Sequence, residues 1–131
     1  MICADTSSMM ALLGGEQGQD VNLVRNALAD RSLVLAPAVV SELLSDRELP
    51  AAIEPYVLDT PQLEVKPGYW ERAGKLRARM QRHHSRAKLA DALIAQSCLD
   101  HGVLLVTRDR DFTSFQKLAG LRLLAGPSRV P

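Results

Sequence analysis

The 131-residue chain has only two cysteines, Cys3 and Cys98, each set among apolar neighbours. That argues against a disulfide scaffold and reads as two buried thiols in a reducing compartment. Aromatic residues are nearly as sparse. One Trp, two Tyr and two Phe are too few for an extensive platform on which bases stack. Charge of one sign is also lacking: the formal net charge is +1, so nothing global points to a nucleic acid or an acidic surface. No apolar run is long enough to cross a bilayer, and Asp5 interrupts the first one before it resembles the core of an export signal. A cytoplasmic protein with no membrane role is the expectation. The three histidines, His83, His84 and His101, read as surface residues rather than general bases.

What is present suffices for one core. The length fits a single domain over 1–131, with 126–131 as a tail, and 47% apolar against 24% charged residues argues against disorder. Three short apolar runs, Met1–Ala4, Leu33–Ala36 and Val103–Val106, read as buried strands, and Leu121–Leu124 closes the sheet. Helical spacing recurs at Met9–Leu13, Asp20–Ala29 and from Pro37 through Leu44. A further short helix is expected within Pro50–Leu58 and a brief edge strand at Gln62–Lys66. A long basic helix is expected from Gly68 to about His84, burying Trp70, Ala73, Leu76 and Met80. The segment Lys88–His101 forms a helix stopped by Gly102. Strands alternating with helices predict an α/β fold with a mainly parallel central sheet flanked by helices.

Charge is unevenly placed. From Arg72 to Lys88 there are seven Lys or Arg and no acid, which leaves the rest of the chain net acidic. This segment is the natural surface for tracking a phosphate backbone, or else an ordinary solvated helix face.

The acids are more informative. In open α/β sheets ligands bind beyond the carboxyl ends of strands, and two strands here end in acids, at Asp5 and at Thr107-Arg108-Asp109. Glu42 and Asp91 each interrupt an apolar helical stretch, where a carboxylate is costly unless paired or metal-bound. A cap, a salt bridge or solvent explains any one of them. Four together point to a cation site, and ligation by oxygen alone selects Mg²⁺ or Mn²⁺ over zinc.

The runs Asp5-Thr6-Ser7, Ser41-Glu42-Leu43, Asp91-Ala92-Leu93-Ile94-Ala95 and Val106-Thr107-Arg108-Asp109-Arg110-Asp111-Phe112 resemble the PIN-domain family in order, spacing and flanks. Within that family they are most similar to VapC-type toxins of bacterial toxin–antitoxin pairs. The resemblance implies an endoribonuclease whose catalytic and metal-holding quartet is Asp5, Glu42, Asp91 and Asp109. Asp111 is a further candidate ligand, and Thr107 with Thr6 or Ser7 orients the carboxylates. It implies a Mg²⁺ or Mn²⁺ cofactor, an RNA substrate, a homodimer, and a small antitoxin crossing the active-site groove, to which Met9, Met10, Leu12 and Leu13 contribute. The competing expectations are a catalytically inactive PIN-like module that binds protein or RNA, and a phosphohydrolase of small phosphate esters. The second usually needs an acid two residues after a strand-end Asp, and Asp5 is followed by Thr6-Ser7.

Overall fold

The first apolar run forms β1 (Ile2–Ala4), one of the two inner strands of a sheet ordered β2-β1-β3-β4. The others are β2 (Leu33–Val34), β3 (Leu104–Val106) and β4 (Leu123–Leu124) in a computed structural model that describes residues 1–124. The tail expected at 126–131 lies outside the described residues. Every pairing is parallel. Ile2 and Cys3 pair with Leu33 and Val34, Ile2–Ala4 with Leu104–Val106, and Leu105 and Val106 with Leu123 and Leu124. Cys3, Ala4, Leu105 and Val106 are fully buried, as expected for inner strands covered on both faces. The chain runs outward from β1 to β2, returns across β1 to β3, and moves on to β4. The winding therefore reverses between β1 and β3, and the residues following these two strands face a common crevice.

Among the described residues seven helices connect the strands. α1 (Thr6–Leu13) and α2 (Gln19–Ala29) lie between β1 and β2. α3 (Pro37–Leu44), α4 (Glu54–Asp59), α5 (Tyr69–Arg82) and α6 (Leu89–His101) lie between β2 and β3, and α7 (Phe112–Ala119) precedes β4. α3 starts with Pro37 in its first turn, where the missing N–H costs nothing, and α6 ends at Gly102 with φ +62°, which favours glycine. None of the helices is long and apolar enough to cross a membrane among the described residues. Cys3 and Cys98 are free and buried.

The structure differs from the sequence expectations in four places. In α5 the buried stripe is Tyr69, Ala73, Leu76 and Met80, and Trp70 is 63% exposed. Tyr69 fits the core because its hydroxyl donates to the Leu93 carbonyl at 2.6 Å, so the ring is buried without stranding its polar end. Gln62–Lys66 is no strand. It makes one bridge, Gln62 to Leu35, between Pro61, which has no N–H to donate, and Pro67. The closing strand begins at Leu123, because Leu121 turns inward to the core instead. The helix α7 was not anticipated. It buries Phe112 and Phe115 completely, three residues apart on one face, and stops at Gly120 with φ +75°.

Candidate active site

Asp5 follows β1 directly, and its backbone N–H donates to the Val106 carbonyl at 2.8 Å, extending the β1–β3 pairing one step past the strand. That step sets Asp5 beside Thr107. The Asp5 carboxylate is 4% exposed, and its Oδ2 accepts from Ser7 Oγ at 2.7 Å and Thr107 Oγ1 at 2.8 Å. Thr107 Oγ1 in turn accepts from the Asp109 N–H at 3.0 Å, and Asp109 Oδ1 accepts from the Asp111 N–H at 2.9 Å. One buried hydroxyl thus couples the ends of the two strands. Burial pushes the Asp5 carboxyl above its usual range, and the Ser7 and Thr107 hydrogen bonds partly offset this.

Asp91 approaches from the first turn of α6 and is 8% exposed. Its Oδ2 is buried with no hydrogen-bond partner. Desolvation first, then the charges of Asp109, Asp5 and Asp111, push its pKa up to about 6, while Lys88 acts in the opposite direction. Buried polar atoms are almost always satisfied, so an orphaned carboxylate oxygen facing three other acids is an unusual arrangement. An oxygen donor of this kind fits a hard divalent cation.

Glu42 is placed differently. It is an exposed residue of α3, and its Oε1 accepts from Thr6 Oγ1 at 2.6 Å. It joins the constellation at the rim, through the residue next to Asp5, and is not among the charges acting on Asp91. The acids line the crevice without converging: among the described residues no three Asp, Glu, His or Cys side chains form a closed metal cage. Bringing two carboxylates within ~4 Å costs roughly 4 kcal/mol at an effective dielectric near 20, so convergence requires a counter-ion.

Three residues near this site were not anticipated as a unit. Asp20 in the first turn of α2 is buried, accepting from Ser8 Oγ at 2.8 Å and from the Arg108 guanidinium at 2.8 and 3.0 Å. Asp20 stands at the start of its apolar stripe rather than within it, as an ordinary first-turn acid does, so the sequence offered no strong signal for it.

Five of the seven bases in the basic segment fall into two groups. Arg72 is committed to Asp100 as a bidentate pair, and Arg77 Nε donates to the Ala87 carbonyl, so both brace α5 against α6 and its entry. Lys75, Arg79 and Arg82, beside Arg72, line an open groove of about 330 Å³, floored by Leu76, Leu99 and Ala119. A second groove of about 230 Å³ lies between the end of α1 and the 46–50 loop. Met10 and Leu13, each 37% exposed, contribute to it, whereas Met9 belongs to the core.

The PIN-domain family profile matches residues 2–118. The chain belongs to the PIN-domain family. No curated protein sequence matches it. Its fold is shared with several solved structures at low identity. VapBC2 from Rickettsia felis bound to a promoter DNA fragment has a TM-score of 0.71 at 16% identity, covering 98% of this chain and 100% of that one. DNA-bound VapBC from Salmonella typhimurium gives 0.69 at 18%, covering 95% and 98%. VapBC-5 from Mycobacterium tuberculosis, described as a member of a family of toxin–antitoxin systems, gives 0.62 at 18%, covering 94% and 96%. PIN nucleases in general use divalent metals, and an acid-lined crevice beyond β1 and β3 suits that chemistry.

Proposed function

We propose that this PIN domain is a VapC-type toxin, a divalent-metal-dependent endoribonuclease acting in the cytoplasm. The observation that carries the reading is the buried, unpartnered Asp91 Oδ2 beside Asp5, Asp109 and Asp111. In this reading Asp5, Asp91 and Asp109 hold Mg²⁺ or Mn²⁺, with Glu42 completing the quartet from the rim and Asp111 as an auxiliary ligand. When bound, such an ion neutralises charge on a phosphodiester and lowers the pKa of an attacking water.

The chain's own residues do the rest. Thr107 and Ser7 fix the Asp5 carboxylate through Oδ2, so that it is held in one orientation for an ion. Thr107 also holds the Asp109 backbone, and Asp111 holds Asp109 Oδ1, so the turn after β3 keeps a single shape. Lys75, Arg79 and Arg82 track the substrate backbone, each neutralising a phosphate without reading sequence. The partners in this reading are RNA, a second copy of the chain in a homodimer, and a cognate antitoxin. An apolar antitoxin segment fits the groove at Met10 and Leu13.

The test is to map RNA ends after expressing the wild-type chain or Asp5→Asn. New, discrete RNA ends with the wild type that vanish with Asp5→Asn support the reading. Ends unchanged between the two overturn it. Purified protein that binds RNA without cutting it in Mn²⁺ would assign the domain to an inactive binding module instead.

A further inference from the structure

Arg108 stands between Thr107 and Asp109, yet its side chain turns away from the acids. Its Nε and Nη2 donate to Asp20 Oδ2 and Oδ1 at 2.8 and 3.0 Å, a bidentate fork on a carboxylate that is 4% exposed. Nη1 reaches Glu16 Oε1, and Nη2 also reaches the Gln17 carbonyl, both at 3.3 Å. One guanidinium therefore gathers the connection between α1 and α2 and the start of α2.

The two serines at the start of α1 divide between this cluster and the acidic site. Ser7 Oγ donates to Asp5 Oδ2 and lies 3.4 Å from the Arg108 N–H, which donates to it. Ser8 Oγ donates to Asp20 Oδ2. The first turn of α1 is thus held on one side by the acids and on the other by the ion pair. Gly18 gives independent evidence that the fit is close. A Cβ there would stand 2.6 Å from Asp20 Oδ1 and 3.0 Å from Arg108 Nη2, at a φ of +155° that itself favours glycine.

We propose that Arg108 is a positioning residue for the divalent-ion site. Its fork on Asp20, seated over Gly18, fixes the Thr107–Asp109 turn against α1 and so sets the spacing of the Asp5 and Asp109 oxygens. The proposal rests on the metal-nuclease reading above. Because the guanidinium is engaged by Asp20 and Glu16, it orders the turn without neutralising the acids. Lysine cannot replace it, since an ammonium keeps the charge but not the planar fork.

The experiment compares Arg108→Ala, Arg108→Lys and Gly18→Ala with the wild type. It reads Mn²⁺ affinity by calorimetry, thermal unfolding in EDTA, and kcat and KM on RNA. Removing groups that orient metal-holding carboxylates weakens metal binding or activity by about 10–100-fold. The Mn²⁺ Kd is expected to rise by that factor in both Arg108 variants, with kcat falling in parallel and KM nearly unchanged. Added guanidinium ion is expected to restore part of the Mn²⁺ affinity to Arg108→Ala and none to Gly18→Ala, whose fork is intact but displaced. Should Arg108→Ala not fold, Arg108→Lys and Gly18→Ala carry the same comparison.

Arg108→Lys that matches the wild type in Mn²⁺ Kd and kcat overturns the proposal. So does lower thermal stability in all three variants with unchanged Mn²⁺ affinity, which would make the ion pair structural only. Asp91→Asn run alongside separates the two readings. If it cleaves RNA like the wild type, the nuclease reading fails. If it is inactive while the Arg108 variants are fully active, the positioning claim alone fails.

Discussion

Asp91→Asn should make the metal-free protein more stable and the metal-loaded protein less so. In the native state the Asp91 carboxyl titrates at about 6, against 3.8 for the ordinary group. Between those values the folded protein binds more protons than the unfolded chain, so ionising Asp91 lowers stability as pH rises. The penalty is absent below about pH 4 and complete above about pH 6. At 1.36 kcal/mol per pKa unit the upper bound is about 3 kcal/mol, and solvent screening in an open crevice reduces it to about 1–2 kcal/mol. Asparagine carries no charge, and its amide can donate towards the neighbouring acids. In EDTA at pH 7.5 the variant should melt about 3–8 °C above the wild type, at roughly 3–4 °C per kcal/mol for a chain of this size. At pH 4 the two should coincide. Asp5 is shifted in the same direction, but it is common to both proteins and cancels in the difference. Mn²⁺ at 100 times its Kd stabilises the wild type by about 2.7 kcal/mol, and the variant loses most of that, so the order of melting temperatures inverts. Circular dichroism melts at both pH values, with and without Mn²⁺, read all four conditions. A variant less stable than the wild type in EDTA at pH 7.5, or an equal response of both proteins to Mn²⁺, refutes the reasoning.

Other predictions follow from single contacts. Thr107→Val removes the hydroxyl that donates to Asp5 Oδ2 and accepts from the Asp109 N–H, so it should lower stability by about 1–3 kcal/mol in denaturant melts. RNA cleavage by that variant should drop by about 10–100-fold. Replacing Lys75, Arg79 and Arg82 with Ala should reduce the slope of log K against log salt for RNA binding by about 2, at roughly 0.7 per phosphate contact on single strands. Arg77→Ala, whose side chain is bonded to the Ala87 carbonyl, should leave that slope unchanged, and equal slopes for the triple variant and the wild type would remove the groove from RNA binding. Phe115→Ala empties a fully buried position in α7 and should cost about 3–5 kcal/mol in the same melts.

The strand ends were readable because a buried parallel strand leaves an unbroken apolar run, and the residue that breaks it is conspicuous. Asp5 and the Thr107-Arg108-Asp109 turn stood out for that reason, and the parallel pairing of β1 with β3 puts both at one crevice. Asp91 stood out as an acid within an apolar helix. The partner of Asp20 could not be read, because Arg108 lies 88 residues away and nothing local links the two. Arg72 likewise counted as a free base until its pairing with Asp100, 28 residues on, became visible. Trp70 and Tyr69 show a finer limit. They are neighbours in one helix, and a rotation of one residue decides which ring is buried, a choice made by the hydrogen bond available to the Tyr69 hydroxyl. The helix α7 was legible in principle, since Phe112 and Phe115 recur three residues apart and are both core residues.

Whether these carboxylates take a divalent ion is decided most directly by anomalous scattering from crystals grown with Mn²⁺. The account predicts a manganese peak within about 2.2 Å of Asp91 Oδ2 that also contacts Asp5 or Asp109, and no such peak in crystals of Asp91→Asn. A wild-type map without manganese at Asp91, or with the ion bound only elsewhere, would contradict it.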